Sequence, residues 1–337
     1  VTVLLATHPL FEKHDPGRWH PERAERLAAV AQGIEEAGIT EAVAPFEPRP
    51  APEAAIERVH PGRYLRALQE LSIMGGGRID ADTAVSEGSY EAALLAAGAG
   101  LDAIERLDAG EAEVAFCAVR PPGHHATPTR PMGFCLVNNV AVAAAALADR
   151  GERVLIVDYD AHHGNGTQDA FYDDPRVLYV SFHEYPLYPG TGSLEETGRG
   201  EGAGMTINVP LPAGATGDVY RLAFDVLVAP VVDHWHPTWL IVSAGYDAHR
   251  ADPLTGLGLR AGDFADLTAQ LCELVPAGRR LLILEGGYDL AALGLSVGAS
   301  LARLVEVDYR PEPATSGGAG RAVVEAVRRI RDEAGWP

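Results

Sequence analysis

Lysine is almost missing from this chain. Lys13 is the only one in 337 residues, although arginine is plentiful. Cysteine is also scarce: Cys117, Cys135 and Cys272 form no CxxC pair and no even framework. This excludes a disulfide scaffold and fits a reducing compartment. Long hydrophobic runs are absent as well. Stretches such as Val154–Val157 and Leu281–Leu284 are far too short to span a bilayer, so no membrane partner is expected. The first apolar run, Val1–Ala6, has no positive flank and no long apolar region, so no signal peptide is read there and the cytoplasm is the expected location. Positive charge is in deficit, with 27 Lys and Arg against 47 Asp and Glu and a net charge of −20. Such a surface repels phosphate backbones, so nucleic acid is not an expected partner. It favours basic ligands such as lysine-rich peptides or polyamines.

The chain is 47% hydrophobic, enough for a sizeable core. No internal repeat or low-complexity linker divides it. Pro45–Pro52 (PFEPRPAP) reads as a proline-rich connection, too short to separate domains. Thr315–Gly320 (TSGGAG) reads as a flexible link before a final amphipathic helix at about Arg321–Glu333. One domain over residues 1–337 is the simplest organisation.

Short continuous apolar runs suit strands buried on both faces. They are Val114–Val119, Val154–Asp158, Val177–Phe182, Leu240–Ser243 and Leu281–Leu284. Helical stretches lie between them: Val140–Asp149, Gly166–Tyr172, Gly217–His234 and Gly262–Val275. Further helices are expected near Pro21–Ala37, Pro61–Leu71 and Tyr90–Leu107. The alternation argues for an α/β fold, a parallel sheet with helices on both faces.

Ligands of open α/β sheets bind outside the carboxyl ends of the strands. Each of the five runs here ends in or is followed by polar residues, most beside glycines: Arg120-Pro-Pro-Gly-His124-His125, Asp158-Tyr-Asp160-Ala-His162-His163-Gly-Asn165, Ser181 with His183, Gly245-Tyr246-Asp247, and Glu285-Gly286-Gly287-Tyr288. Asp160 and His162, two apart just past a strand, can point the same way. With Asp247 they form a set of two carboxylates and one imidazole. Three ligands and an open position suit a catalytic Zn²⁺ or a similar divalent ion such as Fe²⁺. His124 and His125 sit at a turn fixed by Pro121, Pro122 and Gly123. They suit proton transfer near neutral pH, or one of them is itself a metal ligand. Tyr288 follows two glycines that let the chain approach closely. Its phenol could stabilise an oxyanion at a metal-held carbonyl.

Arg120-Pro-Pro-Gly-His-His-Ala126, Gly133-Phe-Cys135 with Asn138, Asp158-Tyr-Asp-Ala-His-His-Gly-Asn-Gly-Thr-Gln168, Ser243-Ala-Gly-Tyr-Asp247 with Asp252-Pro253, and Leu284-Glu-Gly-Gly-Tyr288 resemble the histone deacetylase family, in their order along the chain. The likeness runs from His20-Pro-Glu22 to about Leu304, and its form is closest to the class II branch and its bacterial relatives. It implies an arginase/deacetylase-type fold with a central eight-stranded parallel sheet flanked by helices. The implied activity is zinc-dependent hydrolysis of acetyl or other acyl amides on lysine side chains. Asp160, His162 and Asp247 are implied as zinc ligands. His125 is implied as general base, His124 as its electrostatic partner oriented by Asp158, and Tyr288 as the donor to the substrate carbonyl. Gly133, Phe134, Tyr188 and Leu254 are implied along a narrow tunnel for the lysine stem. A structural K⁺ is implied near Asp158, Asp160, His162, Ser181 and Phe182.

Three departures from the pattern bear on specificity. The residue paired with the general base is Asn165 rather than an acid, which should lower the basicity of His125. Tyr188 stands where the tunnel wall is often Phe, so its hydroxyl could make the mouth more polar. Polyamine-selective relatives carry an acid after the Asp-Pro, where this chain has Leu254. The sequence therefore favours an acyl-lysine protein or peptide as substrate, with an acetylated polyamine as the alternative. A two-metal ureohydrolase of the arginase type would need a further carboxylate where Gly164 stands. A catalytically silent acyl-lysine reader would be expected to lack a ligand, the His pair or Tyr288, and none is lost.

Overall fold

The computed structural model describes all residues from Val1 to Pro337. The strands are β1 (Val3–Ala6), β2 (Val43–Phe46), β3 (Gly77–Arg78), β4 (Ala84–Val85), β5 (Val114–Cys117), β6 (Val154–Asp158), β7 (Val177–Glu184), β8 (Thr206–Leu211), β9 (Trp239–Ala244) and β10 (Arg280–Leu284). The helices are α1 (Glu25–Glu36), α2 (Glu53–Ile56), α3 (Gly62–Ile73), α4 (Ser89–Asp108), α5 (Asn139–Ala148), α6 (Asn165–Phe171), α7 (Gly217–Ala223), α8 (Ala229–Trp235), α9 (Ala261–Cys272), α10 (Leu290–Leu304) and α11 (Arg321–Ala334). Eight strands form one sheet in the order β2-β1-β5-β10-β9-β6-β7-β8. Every pairing in it is parallel. Short β3 and β4 pair antiparallel, apart from the sheet.

The five apolar runs of the sequence are the five contiguous central strands, β5-β10-β9-β6-β7. Alternate residues of each feed the two faces. In β6, Leu155 and Val157 join the core beneath α1, α7, α8, α9 and α10, whereas Val154 and Ile156 join the core beneath α3, α4 and α5. Burial on both faces is what makes these strands read as unbroken apolar runs. The central strands share one direction, so the polar residues after them gather along one edge.

The structure departs from the sequence reading at both sheet margins. Pro45 is not a connection but belongs to β2, opposite Leu5 of β1. The other edge strand, β8, was not expected and contains Pro210. Each proline lies on an edge strand, where a missing N–H costs no ladder bond on the open side. The expected helix Gly217–His234 is three segments: α7, a wide turn at Phe224–Val228, and α8. Pro230 explains the break, since its ring clashes with the carbonyl four residues earlier. The Ala229 N–H accordingly reaches back to the Phe224 carbonyl. Strand β5 ends at Cys117 rather than Val119, which leaves Ala118 and Val119 to lead into the Arg120 turn.

Candidate active site

Asp160 lies two residues past the end of β6, His162 two further on, and Asp247 just past the end of β9, the neighbouring strand. All three are buried, and their ligand atoms lie within 4.8 Å of one another. His162 Nδ1 is 2.9 Å from Asp247 Oδ2 and 3.1 Å from Asp160 Oδ1. Backbone amides aim the carboxylates. His162 N–H donates to Asp160 Oδ1 at 2.9 Å, Gly286 N–H to Asp160 Oδ2 at 2.8 Å, and Ala161 N–H to Asp247 Oδ1 at 2.7 Å. The backbone comes so close that a Cβ on Gly286 would stand 2.3 Å from Asp247 Oδ2, so only glycine fits there.

The electrostatics suit a cation. Two buried carboxylates converge here with no lysine or arginine paired to either. Without a metal, burial and the Asp160 charge push the Asp247 carboxyl up. Burial alone would pull His162 down, but hydrogen bonds to Asp160 and Asp247 outweigh it and push His162 up, which favours a proton among the three side chains when no metal is bound. A divalent cation in place of that proton would leave a neutral imidazole and two carboxylates as its ligands, the donor set for Zn²⁺ or Fe²⁺.

The His pair follows β5. His124 Nδ1 is 3.0 Å from Asp158 Oδ2, and its Nε2 is 3.8 Å from Asp160 Oδ1. Burial lowers His124, but Asp160 and Asp158 outweigh burial and push it up to about 10. His125 Nδ1 is 2.9 Å from Asn165 Oδ1, at the start of α6. Burial first, then His124 and His162, push His125 well below its ordinary value. Two adjacent imidazoles, with ring centroids 4.0 Å apart, are thus pushed in opposite directions.

A pocket of about 230 Å³ leads to this group, lined by His125, His162, Gly133, Phe134, Leu187, Tyr188, Leu254, Tyr288 and Asp82. The Tyr188 ring stands edge-on to His125 at 5.1 Å, and Phe134 meets Tyr288 edge-on at 5.6 Å. Gly133 and Phe134 both have positive φ, 55° and 68°. A Cβ on Gly133 would stand 2.4 Å from the His125 ring, so this strained turn brings the wall hard against the imidazole. The sequence-expected ligands, His pair, Tyr288 and tunnel residues therefore all meet at one site. Asp158 and Ser181 lie opposite each other in the β6–β7 register, directly behind it.

Residues 20–304 match the histone deacetylase domain family. The chain belongs to the histone deacetylase family. It is similar to a probable deacetylase of Archaeoglobus fulgidus, 42% identical over 85% of this chain and 81% of that one. A histone deacetylase-like amidohydrolase of Pseudomonas aeruginosa is 38% identical over 80% of this chain and 72% of its own. The crystal structure of the HDA15 HD domain superposes with a TM-score of 0.91 at 35% identity, covering 98% of this chain and 94% of that chain. The fold is thus the deacetylase fold, and the chain is a hydrolase of the deacetylase and amidohydrolase kind.

Several side chains that support this deacetylase site carry no signal in the sequence beyond lying inside a motif. Glu285 is fully buried and accepts N–H bonds from Gly123 at 2.6 Å and His124 at 3.1 Å, which fixes the turn that carries the His pair. Glu22 takes Arg120 in a two-pronged ion pair and also meets Arg26 at 3.3 Å, all three fully buried. Arg26 in turn donates to the Gly287 carbonyl at 2.7 Å, and its guanidinium lies 5.1 Å from the Tyr288 ring centre. His20 reaches the Asp82 carbonyl at 2.9 Å and packs on Phe134. Most of these contacts join positions far apart along the chain, which spacing alone cannot register.

Proposed function

We propose that this deacetylase hydrolyses the acetyl amide of lysine side chains in proteins or peptides, with Zn²⁺ at Asp160, His162 and Asp247 and Fe²⁺ as the alternative ion. The observation that carries the reading is the convergence of that ligand set beside one pocket that His162, His125 and Tyr288 line together. When bound, the ion supplies polarisation of the amide carbonyl and acidification of water. The remaining chemistry falls to side chains.

With the Asn165 amide oxygen facing it, Nδ1 of His125 carries the proton, and Nε2 keeps its lone pair for the pocket. His125 is kept neutral by burial and by its charged neighbours, so it can take a proton from attacking water. The same imidazolium then protonates the lysine nitrogen as the C–N bond breaks, releasing acetate and a free amine. His124, paired with Asp158, stays cationic and opposes negative charge building at the carbonyl. Tyr288 donates its phenol proton to the oxyanion as a hydrogen bond. Phe134, Tyr188 and Leu254 enclose the four-carbon stem of the substrate lysine. The reading includes a structural K⁺ held by Asp158, Asp160, His162, Ser181 and Phe182. The register of Asp158 with Ser181 supports its place there.

One observation favours an acetylpolyamine as second substrate. Asp82 lines the pocket and Asp80 lies beside it, so the mouth could hold a distant ammonium even though Leu254 offers no charge. Turnover of an acetyl-lysine peptide and of an acetylated polyamine, measured side by side on zinc-loaded protein, separates the two. Higher kcat/KM on the peptide supports the lysine reading. Higher kcat/KM on the polyamine replaces it with the alternative.

A further inference from the structure

The carboxylate of Asp252 is buried and makes no ion pair; its hydrogen bonds all come from backbone N–H groups. Oδ1 accepts from Leu254 at 3.0 Å. Oδ2 accepts from Tyr288 at 2.7 Å and Asp289 at 3.3 Å. One side chain thus grips two separate loops. The first sets Leu254 on the pocket wall. The second is the Gly286-Gly287-Tyr288 turn.

Tyr288 depends on that grip more than an ordinary core tyrosine would. No hydrogen bond holds its phenol oxygen. The ring meets Phe134 at 5.6 Å and the Arg26 guanidinium at 5.1 Å. The two preceding residues have no side chains, and Gly287 has φ 116°. Carbonyls on this turn are held by Arg26, at Gly287 and Glu285. The amide of Tyr288 itself is held by Asp252 alone.

We propose that Asp252 is the positioning residue for Tyr288, and that it ties the place of the phenol to that of the tunnel wall at Leu254. This rests on the role proposed above for Tyr288. A misplacement of about 1 Å at a reacting centre costs on the order of 100-fold in rate. Loss of the carboxylate should therefore appear in kcat and only weakly in KM, because the substrate stem still lies against an intact Phe134 and Tyr188.

The test uses the full zinc-loaded chain carrying Asp252→Asn, with 3-fluorotyrosine incorporated and the Tyr288 fluorine resonance assigned by its loss in Tyr288→Phe. We expect kcat on an acetyl-lysine peptide to fall about 10- to 100-fold with KM changed less than about threefold. On a Tyr288→Phe background the same substitution should cost less than about twofold, since the group it positions is already gone. The Tyr288 resonance should broaden or gain a solvent isotope shift, while metal content and the other tyrosine resonances stay put. Losses that multiply in the double variant, or an unchanged Tyr288 resonance, would overturn the proposal. If the wild type does not turn over the peptide, the functional reading fails and the resonance alone decides the role of Asp252. Should Asp252→Asn not fold, Asp252→Glu is measured in the same way. Unfolding of both would make Asp252 a folding residue and also overturn the proposal.

Discussion

His125 gives its Nδ1 proton to the amide oxygen of Asn165 across 2.9 Å. The partner is neutral, and buried His125 sits between His124 and His162, so nothing adjacent favours its protonated form strongly. Asn165→Asp should place a negative charge on Nδ1 and raise the imidazole pKa. A raised pKa keeps the base protonated to higher pH. The acidic limb of kcat/KM should therefore move upward by about one unit or more, which a pH–rate profile of the variant would read. An unmoved limb would mean that His125 is not the group titrating there.

Tyr288 faces the pocket without a partner for its phenol. Tyr288→Phe keeps the ring and removes one donor. It should lower kcat about 100-fold or more while zinc stays bound, since removing one oxyanion donor costs that much. Metal analysis alongside steady-state kinetics checks both halves. Near-normal turnover would remove Tyr288 from the reaction.

Much of this site was legible before the structure because its chemistry follows strands that are themselves legible. The runs that became β5, β6, β7, β9 and β10 are buried on both faces, so they read as unbroken apolar stretches, and each is followed at once by its functional residue. The edge strands β2 and β8 were not legible. Each is open along one side and carries a proline, Pro45 and Pro210, that masks the strand pattern. The supporting contacts were hidden for a different reason. Glu285 to Gly123, Asp252 to Tyr288 and Arg26 to Gly287 depend on how distant segments meet, which no local pattern encodes. The Gly-Gly before Tyr288 was legible as a place of close approach, but that it approaches Asp247 was not.

The three metal ligands should link ion binding to folding. Asp160 and Asp247 are buried carboxylates whose ion-pair partners are histidines alone. Zinc in hundredfold excess over its dissociation constant should stabilise the fold by about 2.7 kcal/mol, seen as a rise in Tm that chelation reverses. Asp247→Asn should abolish most of that rise. An equal zinc-dependent shift in the variant would place the ion elsewhere.

Two buried imidazoles should make the fold acid-sensitive. His60 and His14 are buried, and burial pushes each down to about 4. His60 Nε2 also accepts the Asn138 N–H at 2.9 Å, a bond that protonation would destroy. Between pH 4 and the unfolded value near 6.5 the unfolded chain binds more protons, so stability rises with pH across that window. It is fully present above the window and is lost as pH falls through it, at about 1.4 kcal/mol per pH unit for each histidine. Denaturant titrations from about pH 7 to about pH 4 should therefore show a smaller rise of stability with pH in His60→Gln than in the unaltered chain, and equal slopes would contradict the role of His60.

The most direct test of the central claim is acetate release from an acetyl-lysine peptide by the purified chain, first stripped of metal and then titrated with zinc. Release from the stripped protein should be negligible and activity should rise to a plateau at one zinc per chain, with Asp247→Asn inactive throughout. No release at full zinc occupancy, or equal release from the stripped protein, would contradict it.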